Sequence, residues 1–242
     1  MNAFKRNNEI YISQVEEHGL KLYISKVYGW TFIGLLMTAI TVFGLIQGLA
    51  VAPNIFVPIL ENSLIISVVQ FVVVIIFSSR IHRMRPFTAK FMYLFYSISM
   101  GVFFSWIVLT VNADIIIQAF AITAVSFGAM SLYGITTNKN LMSFGNILLT
   151  CLIGLVIASV VNIFLGNSML DMIISVSGVF IFLAFTVYDS AKIRHLYYSS
   201  LSPDGQATAL TSNLAIYSAL SLYLNFINIM LFVLRLLQSN RR

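Results

Sequence analysis

Long apolar stretches alternate with short polar connections along almost the whole chain. Seven runs approach or exceed the roughly 20 residues that a helix needs to cross the hydrocarbon core of a bilayer. They lie at approximately 27–50, 62–79, 90–111, 115–135, 143–165, 169–189 and 212–236. The connections are short except 190–211, which holds the turn-forming Ser202-Pro203-Asp204-Gly205. All four prolines (Pro53, Pro58, Pro86, Pro203) fall in connections, so broken-helix transporter architectures are disfavoured. The pattern predicts an all-α, polytopic membrane protein with seven transmembrane helices. A polar N-terminal tail over 1–26 precedes a seven-helix transmembrane domain over 27–238, and a short C-terminal tail over 239–242 follows.

Composition narrows the class further. Of 242 residues, 59% are hydrophobic and only 9% charged, against about 25% charged in a soluble domain. A water-soluble globule is excluded, and so is disorder, which needs low hydrophobicity. The net charge of +6 is spread over short connections rather than gathered on one face. It therefore reads as topology signal and lipid-headgroup contact, and no nucleic-acid partner is expected. Eleven of the fourteen Lys and Arg residues lie in the N-terminal tail and in connections 80–90, 136–142 and 190–211. By the positive-inside rule these face the cytoplasm, with the N-terminus. Arg235, Arg241 and Arg242 oppose the pattern, so a re-entrant hairpin stands as the alternative for the seventh span. The polar first 26 residues lack the apolar core of a cleavable leader. A bacterial-type inner membrane is the expected location.

Catalysis is not expected. His18, His82 and His195 all lie in tails or connections, no HExxH occurs, and no phosphate-cradling glycine loop is present. Every lysine is outside the spans, which excludes a retinal-type Schiff base. Cys151 stands alone, so neither an intrachain disulfide nor a thiolate metal site can form. No resident cofactor is implied.

Polar groups within the spans carry the remaining information, because they are costly in lipid. Glu61 and Asp114 flank helices, and Asp171 sits in the first turn of span six, where a carboxylate complements the macrodipole. Asp189 is placed at the other end of that span, where the dipole disfavours an anion. Arg80 is at comparable depth with the right sign; Lys192 and Arg194 are local alternatives, and solvation by water is a third. In span seven, Ser218, Ser221, Asn225 and Asn228 recur at helical spacing on one side, with Arg235 extending the stripe. Such a stripe turns from lipid toward the bundle. Either interhelical hydrogen bonds or a water-filled, ion-conducting path would account for it. Gly44 and Gly48 form a GxxxG sequence in span one, expected to mark internal packing. Tyr28, Trp30, Tyr188, Tyr197 and Tyr198 lie near span ends, as interfacial aromatics do.

The run Ser218-Ala-Leu-Ser-Leu-Tyr-Leu-Asn-Phe-Ile-Asn-Ile229, with Leu-Arg235-Leu-Leu after it, resembles the seventh-span signature of the Bax inhibitor family, the transmembrane Bax-inhibitor-motif proteins. Tyr188-Asp189 and Arg80 fall where that family places matching residues, and the likeness covers roughly 27 to 238. The resemblance implies six helices around a central seventh and a proton-sensitive calcium leak. In the family, two aspartates share a proton and engage an arginine. Asp189 matches the first and Arg80 the arginine, but Asn225 occupies the position of the second aspartate. A neutral amide removes the repulsion between two carboxylates, so a weakened pH response and a weaker calcium preference are expected. Calcium would then be a transient occupant, with the oxygens of Asn225, Asn228 and Ser221 along its path. The alternative is a non-conducting regulator that binds a membrane protease or stress-response protein. Asp189 can reach Asn225 only if span six continues beyond Asp189 or span seven begins early. The absence of Gly and Pro from 189 to 201 permits the first.

Overall fold

A computed structural model describes the backbone of residues 2–54, 57–58, 62–137, 139–202 and 208–239. Side chains are described over the same ranges apart from 2–16, 63–68, 71 and 82. Glu61 and Pro203 to Gly205 lie outside the described residues. The described chain is helical throughout: α1 (Asn2–Val51), α2 (Ser63–Arg80), α3 (Pro86–Thr110), α4 (Ala113–Thr136), α5 (Gly145–Leu165), α6 (Ser168–Ser199) and α7 (Ala209–Ser239). One-turn 3-10 helices at Ile81–Arg83 and Met142–Phe144 precede α3 and α5. Six helices are long and apolar enough to cross a membrane: Glu17–Val51 of α1, α3, α4, Met142–Leu165, α6 and α7. The chain is thus an integral, multi-pass membrane protein.

Local chemistry sets the boundaries. Pro86 occupies the first turn of α3, where its missing N–H costs nothing. Gly166 ends α5 with φ 61°, the left-handed conformation that favours glycine. Asn167 then caps α6, its Oδ1 accepting from Leu170 N at 3.0 Å. Two helices are longer than the expected spans. The first runs back through the polar tail, where Lys21 pairs with Glu17 one turn away at 2.8 Å. The sixth continues ten residues past Asp189, which therefore stands inside a helix and not at its C-terminus. The last element is a single uninterrupted helix, so no re-entrant hairpin forms, and Arg235 lies 3.8 Å from Asp171.

Helix α7 occupies the middle, packed by α6, α1, α4, α3 and the turn Ile81–Arg83, while α2 lies on α3 and α5 on α6. Leu214, Ile216, Leu220, Leu222 and Tyr223 are all buried, and they cover its whole circumference. Helix α5 is the opposite case: Leu155 alone is buried, and Ile147, Val156, Val160 and Phe164 face outward. Polar contacts fasten the centre. Thr38 Oγ1 and Tyr223 Oη lie 2.8 Å apart between α1 and α7, and Tyr93 Oη donates to Trp30 O at 2.8 Å. Tyr223→Phe is expected to lower stability by about 0.5–1.5 kcal/mol, read as a lower Tm in detergent micelles.

Close approach is made at glycines other than the expected pair. A Cβ at Gly44 would meet nothing within 4 Å, so that half of the GxxxG sequence packs against no neighbour. The tight contacts are Gly101 against Thr38 and Thr41, Gly134 against Val187 and Ser190, and Gly178 against the Phe232 ring. At the end of the bundle that carries Arg80, Gly19 lies directly against the Tyr197 hydroxyl. Tyr23 and Tyr197 rings also meet there, with centroids 5.2 Å apart. Tyr197 is buried in this contact rather than turned to the interface.

Candidate functional site

Asp189 sits in the interior of α6, and the continuation of that helix brings it level with Asn225 of α7. Asn225 Nδ2 donates to Asp189 Oδ2 at 2.7 Å. This is a short, charge-assisted geometry for an amide donor. Its surroundings are built by three helices. One residue on, Ser190 Oγ lies 2.8 Å from Tyr28 Oη of α1, and Gly134 of α4 packs against the backbone of Val187.

The nearest cation in sequence is Lys192, one turn along α6, which forms no ion pair with Asp189. Its ammonium stands over the rings of Tyr188 and Tyr217, 5.6 and 5.7 Å from their centroids, so a tyrosine from each of α6 and α7 holds it. Arg80 does not meet Asp189. It is exposed at the last turn of α2, where its charge complements the helix dipole. The ion pairs among the described residues are Lys21–Glu17 and Arg235–Asp171. The reason is depth: Asn213 Nδ2 donates to Ile81 O at 3.1 Å, so the end of α2 stands level with Asn213 of α7, twelve residues and about 18 Å from Asn225, where Asp189 lies.

The polar stripe of α7 divides. Ser221, Asn225 and Asn228 line a cavity of about 610 Å³ between α2, α3, α5, α6 and α7. Ser218 does not; it is buried farther toward the N-terminus of α7. Asn228 Nδ2 donates to its own helix at Leu224 O, 2.7 Å away. The cavity wall also includes Gln70 of α2 and Ser159 of α5. Gln70 was not singled out from the sequence. It is 6% exposed, and its Nε2 has no partner. The available signal was that it is the single amide in the apolar run 64–79. The remaining wall is apolar, with Tyr96, Met100, Leu155 and Phe182 among its residues.

Chemically, this is a neutral, largely apolar cavity with a few amide and hydroxyl groups, and Asp189 lies behind Asn225, outside its wall. Calcium held as a resident ion takes six to eight oxygens, several of them from carboxylates. Among the described residues, no three His, Cys, Asp or Glu side chains gather to hold a metal. The arrangement suits passing contact with a cation better than storage of one.

Known proteins resemble this chain over most of its length. The family model described as Inhibitor of apoptosis-promoting Bax1 matches residues 20–242. The inner membrane protein YbhL of Escherichia coli strain K12 is 37% identical, covering 100% of both chains. A Borreliella burgdorferi protein is 34% identical over 90% of this chain and 92% of its own. A Rickettsia prowazekii protein is 33% identical over 93% and 92%.

Proposed function

The chain belongs to the Bax inhibitor family, and from that premise we propose that it is a calcium (cation) leak channel whose gate is the Asp189–Asn225 contact. The carrying observation is the 2.7 Å hydrogen bond that joins α6 to the central helix at one end of a cavity lined by Gln70, Ser221 and Asn228. A cation that enters the cavity meets neutral oxygens first and the carboxylate last. Passage then requires Asn225 to release Asp189.

In this reading the protein lies in a bacterial inner membrane, as the name of the Escherichia coli relative says of that protein. The basic ends of the helices and the N-terminus face the cytoplasm. Helix α2 crosses too, giving seven spans. Its 18 residues reach about 27 Å, and Val69, Val72, Ile75 and Ile76 present an apolar flank to the lipid. No catalytic role and no resident cofactor enter the proposal.

Calcium flux into proteoliposomes tests it. Wild-type protein is expected to leak calcium above empty liposomes. Asp189→Ala is expected to change that leak severalfold, because Asn225 loses its acceptor and the contact between α6 and α7 is released. A flux no greater than that of empty liposomes from both proteins rejects the leak. It would favour instead a non-conducting regulator of another membrane protein, for which the neutral Asn225 leaves a permanently closed contact.

A further inference from the structure

A second cavity, of about 400 Å³, opens at the basic end of the bundle between α4, α6 and the connection before α5. Its wall carries three basic side chains, Lys139, Arg194 and His195, and none of its residues is acidic. Neither Lys139 nor Arg194 joins an ion pair among the described residues. Arg194 is held in place by its own contact: Nη2 donates to Ile135 O, 3.1 Å away, at the C-terminal end of α4. That bond uses one N–H of five and leaves the guanidinium free to bind a second acceptor. The rest of the wall includes Ile135, Leu141 and Met142. Tyr198 of the wall is 46% exposed, and just outside it Leu132 and Tyr133 are 65% and 49% exposed, so the pocket opens at the edge of the apolar belt.

We infer that this pocket binds the phosphate of one anionic phospholipid, with the glycerol and upper acyl carbons against Ile135, Leu141 and Met142. An oxyanion answers the uncompensated charge, and Arg supplies the forked geometry that phosphate prefers. The apolar part of the wall and its position at the belt select a lipid over a soluble phosphate, which would leave those side chains wet. Basic pockets between spans at the cytoplasmic surface are suited to this ligand.

The test is native mass spectrometry of the full chain released from micelles containing phosphatidylglycerol or phosphatidylcholine of equal chain length. Wild type is expected to retain one phosphatidylglycerol in preference to phosphatidylcholine. Lys139→Gln with Arg194→Gln is expected to weaken retention about 25-fold, taking roughly fivefold for each cation near an anionic group. Arg194→Lys keeps the charge and should retain the lipid, which separates binding from a structural role of the Ile135 contact. Arg83→Gln with Arg85→Gln, exposed at the same end, should leave retention unchanged. Equal retention of phosphatidylcholine, an equal loss from the Arg83 and Arg85 pair, or displacement of the lipid by millimolar inorganic phosphate would each overturn the inference. The outcome does not depend on whether the protein conducts.

Discussion

Asn225→Asp is expected to steepen the pH response of the proposed leak, to a change of about tenfold between roughly pH 6 and 8. In the wild type an amide donates to Asp189 at 2.7 Å, and an amide does not titrate in this range. A carboxylate at the same place cannot stand ionised beside another at that distance, so the two share a proton and titrate as a pair. Below the range the shared proton keeps α6 and α7 together. Above it the second charge forces them apart, and the leak rises as pH rises. Flux of the two proteins measured side by side in one liposome preparation decides the point. A conducting but pH-flat Asn225→Asp variant would remove this contact from the gate.

The second large effect is expected at Gly134→Ala. Two terms compete. Alanine favours the helix by up to about 1 kcal/mol over glycine. Against that, the new Cβ would lie 2.6 Å from Val187 O and 2.7 Å from Ser190 Cβ. Those obstacles are backbone and the root of a side chain, which cannot swing away, and overpacking of this kind costs about 1–3 kcal/mol. Strain wins, and Tm falls. Gly128→Ala in the same helix meets nothing within 4 Å, so it isolates the propensity term and should hold or raise Tm. The displaced residues are the two immediate neighbourhoods of Asp189, so Gly134→Ala should also raise the leak. A variant as stable and as tight as the wild type would show that α4 and α6 can part without disturbing the site.

Much of this molecule was legible because polar groups in lipid have few places to go. Asp189 and Asn225 were readable as a pair through the resemblance to the family's two aspartates; the stripe at helical spacing told only that Asn225 turns inward, and the unbroken stretch after Asp189 allowed the helix to continue. What the sequence does not distinguish is which apolar face is buried. In a bilayer, Leu on a central helix and Leu on a peripheral one look alike, so α5 and α7 differ in burial far more than in composition. The same blindness hid Gln70, whose burial depends on which side of α2 meets the bundle. The expected cation partner fell on Arg80 for another reason: the two were matched in depth on the expectation that the sixth helix ends at Asp189, but that helix runs on to Ser199 and leaves Asp189 deeper in the bundle than the end of α2. Lys192 was an open alternative, and its two tyrosines come from separate helices that only the fold brings together. Glycine contacts were misplaced for a related reason. GxxxG spacing marks an opportunity for close approach, whereas the partner surfaces that use Gly101, Gly134 and Gly178 are set by the packing.

The length of α6 beyond Asp189 has a mechanical consequence. An α-helix is stiff over two turns, and Tyr197 is eight residues, about 12 Å, along the rod from the carboxylate. Gly19 and Tyr23 of α1 bear on that tyrosine at the free end of the lever. A tilt of the first helix there is delivered to Asp189 as a shift of its fulcrum side, with no need to reshape the cavity. The polar N-terminal segment is therefore a handle on the proposed gate: a partner that grips it in the aqueous phase would apply torque to the Asp189–Asn225 contact.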